Sequence, residues 1–269
     1  MNELSLTPEE IRAKIDKMVW SFSRVNSSSC MYSWFLSYLE GNEGEENAYA
    51  QFGIICHQTI EKFLKGELSI FDAANYFEEN YPLIVTKQNK HCEIGSTRYQ
   101  LALEYFQNIN FDFDKYEILG VEKECLFKVG DYNFKGYIDA LYRDRETGEI
   151  IIRDHKTSRF KYKVSGDISK KDLETFDHYK KQELLYAIPV IEEYGRVDYL
   201  TWNMLCDHRE IKIPFNKDEF EQAQQWAINS IKTIEQEMLW LPDDSNVFFC
   251  NNLCNHRGYC PYKKTGSYS

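Results

Sequence analysis

Two acids and a lysine, Asp139, Asp154 and Lys156, lie on what reads as a β-hairpin. Gly136 to Lys156 holds two runs rich in Ile and Tyr around a polar segment, Arg143 to Glu149, that contains Gly148, which is the composition of two strands and a turn. Pairing Arg143 with Ile150 across that turn sets Asp139 directly opposite Asp154. Opposed residues on one face of an antiparallel pair have Cβ atoms about 4.5 to 5.5 Å apart, so two carboxylates there are spaced to share a divalent cation and otherwise repel. Side chains alternate along a strand, which turns Lys156 to the same side as Asp154. Asp139 interrupts the apolar run Tyr137 to Leu141, and Asp154 follows another, Ile150 to Ile152. A carboxylate shielded there needs a counter-charge. These residues alone serve two readings equally: a metal site, or a structural ion pair in which Lys156 neutralises an aspartate.

A second set of reactive residues lies near the C-terminus. Cys250, Cys254 and Cys260 fall within eleven residues, in a polar segment with Asn251, Asn252, Asn255, His256 and Arg257. Free cysteines are normally buried and scattered, so three in such a tail point to ligation. Three thiolates need a fourth ligand. His256 would complete a Cys3His zinc set, although the paired C-x-x-C knuckles usual for zinc are absent, and a distant cysteine would instead complete an iron-sulfur site.

The elements that must position these groups follow from periodicity. Residues 5 to 40 read as two helical segments separated by Trp20 to Cys30, whose serines (21, 23, 27, 28 and 29) supply an N-cap, with Cys30 opening the second helix. An exposed loop, Glu40 to Asn47, precedes an amphipathic helix from about Ala48 to Lys65, whose apolar side is Phe52, Ile55, Ile60, Phe63 and Leu64. His57 sits mid-helix, where a lone histidine is by default a hydrogen-bonded core residue. Helices continue over 67 to 110 with a break at Pro82. From Tyr116 the period becomes that of strands: Glu117 to Val129, then the hairpin. A helix over Asp177 to Glu193 carries Gln182 and Tyr186 on one face. Strands at Val197 to Leu205 and Ile211 to Phe215, a helix from Asp218 to Met238 and an irregular tail complete the chain.

Composition limits the function. The 269 residues, 43% hydrophobic and 15% aromatic, can bury a large core and read as one elaborated domain. No apolar run approaches the roughly 20 residues of a membrane span, and Met1 to Glu10 is too acidic and polar for a signal peptide, so a cytoplasmic location is expected. The eight cysteines are not spaced as a disulfide framework. A net charge of −11 excludes a protein that coats nucleic acid non-specifically, and any such contact must be local. One local excess exists: Arg153 to Lys181 holds nine basic residues against five acidic ones, with Phe160, Tyr162, Phe176 and Tyr179 interleaved. That combination suits a single-strand track of phosphate pairing and base stacking, or else a solvated loop.

In this order the motifs resemble the RecB-like branch of the PD-(D/E)XK nucleases, in particular members with an iron-sulfur cluster such as the AddB nuclease domain and the CRISPR-associated spacer-acquisition exonucleases. The resemblance covers nearly the whole chain. Gly53-x-x-x-His57, Gly136-Tyr-Ile-Asp139, Asp154-His-Lys156-Thr and Gln182-x-x-x-Tyr186 are similar to its successive motifs, and Cys30 with the terminal trio to its cluster ligands. Two departures stand out: Asp154 where many relatives have Glu, and Cys-x-x-x-Cys where many have two intervening residues.

The resemblance implies an α/β, restriction-endonuclease-like core, a mixed central sheet flanked by helices. Around it come a helical region (1–115) with Cys30 and His57, a nuclease core (116–215), and a helix and Cys-rich tail (216–269) that closes an iron-sulfur site. It implies a Mg²⁺- or Mn²⁺-dependent deoxyribonuclease, expected to be an exonuclease on single-stranded DNA or free ends. In that role His57, Asp139, Asp154 and the His155 carbonyl hold metal, Lys156 acts at the phosphate or the water, and Gln182 and Tyr186 position substrate or Lys156. Cys30, Cys250, Cys254 and Cys260 hold a cluster, expected to be 4Fe–4S, with a structural role. Recombination, repair, phage DNA processing and CRISPR adaptation are the settings it suggests, with helicase or other pathway proteins as partners, since no Walker phosphate loop is present. Glu122, on the strand before the hairpin, is a weaker candidate for the site and reads more readily as a solvated strand residue. A non-cleaving nucleic-acid-binding scaffold is the alternative, and a sequence-specific restriction enzyme is disfavoured because no recognition domain is evident.

Overall fold

The computed structural model describes residues 5–88 and 93–262. Eight α-helices and five strands are named among them: α1 (Pro8–Ile15), α2 (Phe22–Asn26), α3 (Met31–Tyr38), α4 (Ala48–Leu64), α5 (Ala73–Ile84), α6 (Ser96–Gln107), β1 (Tyr116–Val129), β2 (Tyr132–Asp144), β3 (Ile150–Lys156), α7 (Leu173–Tyr194), β4 (Tyr199–Met204), β5 (Arg209–Pro214) and α8 (Lys217–Glu235). The expected periodicities are met, with three differences. The Ser-rich segment contains a short helix, α2, which Ser21 caps by accepting from Arg24 N. Pro82 sits in the last turn of α5, two residues before its end, where it stops the helix rather than dividing it. The helix expected from Asp177 begins earlier, at Leu173.

The strands form one mixed sheet in the order β1-β2-β3-β4-β5, antiparallel except for β3 and β4. Parallel neighbours need a long crossover, and α7 supplies it. Helices cover both faces. One apolar cluster joins α1 to α3, α7 and α8 to Ile150, Ile152, Leu200, Trp202 and Met204. The other joins α4, α5 and α6 to Ala140, Leu205 and Cys206. The sheet therefore matches the expected mixed sheet flanked by helices. No helix among the described residues is long and apolar enough to cross a membrane.

Two irregularities in the sheet bear on the residues at its end. Between β1 and β2 the partners step from Ile118 with Tyr142 to Gly120 with Leu141, so Leu119 is an extra residue on β1. Between β2 and β3 the ladder runs from Arg143 with Ile150 to Ala140 with Arg153 and stops there. That is the register expected from sequence, ended one step before Asp139 would meet Asp154.

Candidate active site

Beyond Ala140 the Asp139 side chain takes over what the ladder relinquishes: its Oδ2 accepts the His155 N–H at 2.7 Å. Asp154 is 3% exposed, with Oδ1 bound to Lys156 Nζ at 2.8 Å and Oδ2 buried without a hydrogen-bond partner among the described residues. Lys156 also donates to Gln182 Oε1 at 3.2 Å and stands 4.6 Å over the Tyr179 ring. Burial would push this ammonium down, but Asp154 and Asp139 outweigh burial and hold it well above its usual value, so it stays cationic. Tyr186, one helical turn beyond Gln182, lays its ring against the backbone of Gly136; a Cβ there would lie 2.9 Å from Tyr186 Cζ and 3.0 Å from its hydroxyl. Glycine is required by that approach.

Helix α4 brings the histidine. Asn47 caps it by accepting from Tyr49 N and Ala50 N, and about three turns later His57 Nε2 lies 2.8 Å from the His155 carbonyl. Its Nδ1 faces Asp139 Oδ2 at 3.5 Å and Glu122 Oε1 at 3.8 Å. One ligand atom from each of His57, Glu122 and Asp139 lies within 4.8 Å of the others. From sequence Glu122 is the weaker candidate, read more readily as a solvated strand residue, and the geometry favours the candidate over that reading. The extra residue at Leu119 has already shifted the register, so strand alternation no longer predicts which way Glu122 points. Glu122 takes the left-handed conformation, φ 48°, which costs a non-glycine residue of order 1 kcal/mol and swings its carboxylate toward His57.

These charges perturb one another. Burial, then repulsion from Asp154, pushes the Asp139 carboxyl up to about 7 against the pull of His57 and Lys156. Burial alone would lower His57, yet its side chain keeps 31% exposure, and Asp139, Glu122 and Asp154 push it up to about 9. Glu183, next to Gln182 and 1% exposed, has its carboxyl pushed well above its usual value by burial, then by Asp154 and Asp139. No motif marks Glu183, which lies on the buried side of α7. The donors suit a hard divalent ion: carboxylate oxygens, an orphaned Asp154 Oδ2 and one imidazole.

At the other expected site Cys30, Cys250, Cys254 and Cys260 line one cavity. After burial, the nearby sulfurs of Cys254, Cys30 and Cys260 are what push the Cys250 thiol up. His256, considered as a fourth ligand, is engaged elsewhere: Nε2 with Ser37 Oγ at 2.9 Å, Nδ1 with the Tyr259 hydroxyl. The donor set is four sulfurs, suited to zinc or to an iron-sulfur cluster.

Against known families, the model of the PD-(D/E)XK nuclease superfamily matches residues 19–264. The chain belongs to the PD-(D/E)XK nuclease superfamily. No curated protein matches it. Among solved structures this nuclease is similar to one named "Putative exonuclease" from Eubacterium rectale, with 13% identity, 87% of each chain covered and a TM-score of 0.48. It is also similar to SSO0001, with 17% identity over 96% of each chain and a TM-score of 0.37.

The basic, aromatic segment of this nuclease differs from the expected track. Phe160 is buried and stacks on Tyr179, and Phe176 packs edge-on to Trp202. Arg153 pairs with Glu210, Arg159 with Asp207, Lys180 with Glu219 and Lys181 with Asp177. Its aromatics build core and much of its charge is neutralised within the fold.

Proposed function

We propose that this superfamily member is a RecB-like, Mg²⁺- or Mn²⁺-dependent deoxyribonuclease that acts as an exonuclease on single-stranded DNA or free DNA ends. What carries the reading is one convergence at the end of the sheet: His57, Glu122 and Asp139 within ligating reach of each other, beside the Lys156–Asp154–Gln182 chain. His57, Asp139, Asp154 and the His155 carbonyl would hold the ion, with Glu122 added by its position. The bound ion would polarise the phosphodiester and supply a nucleophilic water at neutral pH.

The chain's own residues do the rest. Asp154 and Gln182 fix the Lys156 ammonium so that it meets the negative charge gathering on phosphate without reorganising. Tyr186, wedged against Gly136 and hydrogen-bonded to the Gln182 side chain, limits where Gln182 can go and so where that ammonium points. The His155 N–H orients Asp139. The regions 1–115, 116–215 and 216–269 act in this reading as one nuclease domain, supported by the shared sheet beneath both apolar clusters. Cys30, Cys250, Cys254 and Cys260 hold an iron-sulfur cluster, 4Fe–4S, whose role is structural.

The test is digestion of end-labelled linear DNA, single- and double-stranded, and of closed circles, by anaerobically purified protein with Mn²⁺, Mg²⁺ or EDTA, beside Asp154→Ala and Lys156→Ala. Metal-dependent loss of label from linear DNA in the wild type alone is expected. A folded, cluster-loaded protein that cleaves nothing with any metal would instead be a binding scaffold, and cleavage of circles would make it an endonuclease.

A further inference from the structure

We infer that Asn203, held by Tyr105, is a positioning residue for the metal site, acting through the side chain of His155; this rests on the metal-dependent reading above. His155 stands between Asp154 and Lys156, and its main chain is shared by both halves of the candidate site. Its N–H is bound by Asp139 at 2.7 Å and its carbonyl oxygen lies 2.8 Å from His57 Nε2. Any rotation of that residue's backbone moves both contacts at once.

The side chain is what resists rotation. His155 is 4% exposed and pairs in register with Asn203 on the parallel neighbour β4, so their side chains stand together on one face of the sheet. Asn203, 7% exposed, sets its Nδ2 2.9 Å from His155 Nδ1 and 2.7 Å from the Tyr105 hydroxyl on α6. One amide with two N–H groups serves both acceptors. His155 Nε2 is buried with no hydrogen-bond partner among the described residues, so Asn203 is the polar group that fixes the ring. Tyr105 in turn ties that amide to the helical layer that also contains α4 and His57. Groups behind a metal site that fix its donors typically change metal affinity by about 10- to 100-fold when removed.

The experiment is calorimetric titration of Mn²⁺ into the intact protein without DNA, for wild type, Asn203→Ala, Tyr105→Phe, His155→Leu and the Asn203→Ala/His155→Leu pair, with melting temperatures measured alongside. Asn203→Ala should weaken Mn²⁺ binding about 10-fold or more, and Tyr105→Phe should weaken it less, in the same direction. In the His155→Leu background the Asn203→Ala change should have no further effect on Mn²⁺ affinity. Should Asn203→Ala fail to fold, Tyr105→Phe, which removes one oxygen and keeps the ring, decides the matter. Mn²⁺ affinity within about twofold of wild type in a variant that only melts earlier would reduce Asn203 to a packing role and overturn the inference. A folded wild type that binds no Mn²⁺ would bring down the metal reading itself, and this inference with it.

Discussion

Adding a single methyl group at position 136 should disable the nuclease without touching any charged residue. In Gly136→Ala the new Cβ would stand 2.9 Å from Tyr186 Cζ and 3.0 Å from its hydroxyl. Comfortable carbon contacts are about 3.5 to 4.0 Å, so the ring must retreat by roughly 1 Å. It has little room: Tyr186 is 7% exposed, and Phe127 lies edge-on with ring centroids 6.3 Å apart. Overpacking of this kind costs about 1 to 3 kcal/mol. For a chain of this size that lowers the melting temperature by roughly 2 to 5 °C. Moving Tyr186 frees Gln182 and with it Lys156 Nζ, and a misplacement of about 1 Å near the chemistry can cost roughly 100-fold in rate. The assay is a thermal melt beside single-turnover cleavage of labelled DNA. A second substitution, Tyr186→Leu, should restore most of the melting temperature and none of the rate. Wild-type stability and rate in Gly136→Ala would refute the claim that this contact positions the site.

Three further outcomes are expected. Lys156→Ala leaves the Asp154 carboxylate, whose side chain is 4% exposed, without its partner, which should cost about 3 to 5 kcal/mol; Lys156→Ala/Asp154→Asn should regain that stability while staying inactive, as melts and cleavage assays would reveal. The raised His57 favours the folded, metal-free protein below about pH 6.5 and loses that contribution as pH rises through about 9, and the raised Asp139 loses its share by about pH 7. Cations compete with both protons, so Mn²⁺ affinity by calorimetry should climb from about pH 6 to about pH 9 with proton release, and a flat profile would contradict the assigned ligands. Cys254→Ser should lower solubility and melting temperature more than it changes Mn²⁺ affinity, and the wild-type protein purified without oxygen should be brown; a colourless protein with stoichiometric zinc would replace the cluster assignment.

The fold is legible where one period dominates. Alternation over Glu117 to Val129 and the Gly148 turn locate the sheet, and the hairpin register follows to within one step of the two aspartates. What escapes is set by features that periodicity cannot carry. Glu122 is aimed by an extra residue at Leu119 and a left-handed φ, neither of which has a residue-type signature in a strand of glutamates and lysines. Glu183 sits beside Gln182, and only the packing of α7 reveals that it is buried. The aromatics of 160 to 179 suggest a nucleic-acid track because sequence shows which residues are aromatic and not which of them face the core. The partnership of Asn203 with His155 needs the parallel register of β3 and β4, which the α7 crossover fixes across 48 residues. Pairings at that range are not written in local pattern.

That crossover also bears on the order in which the molecule comes together. Asp154, Lys156, Gln182 and Asn203 belong to a single strand–helix–strand stretch of about 50 residues, so a nascent chain can bring them together early, at modest loop-closure entropy. The four thiols are the opposite case. Cys30 must wait for Cys250, 220 residues later, and likewise the Glu45 carbonyl waits for Arg257 and the capping Asn47 for the carbonyl of Leu253. Until residues 250 to 260 have left the ribosome, the helix that carries His57 has only its own cap to mark where it starts. Along the chain, the strand–helix–strand unit of the candidate active site thus closes over short range and the sulfur-lined site over long range.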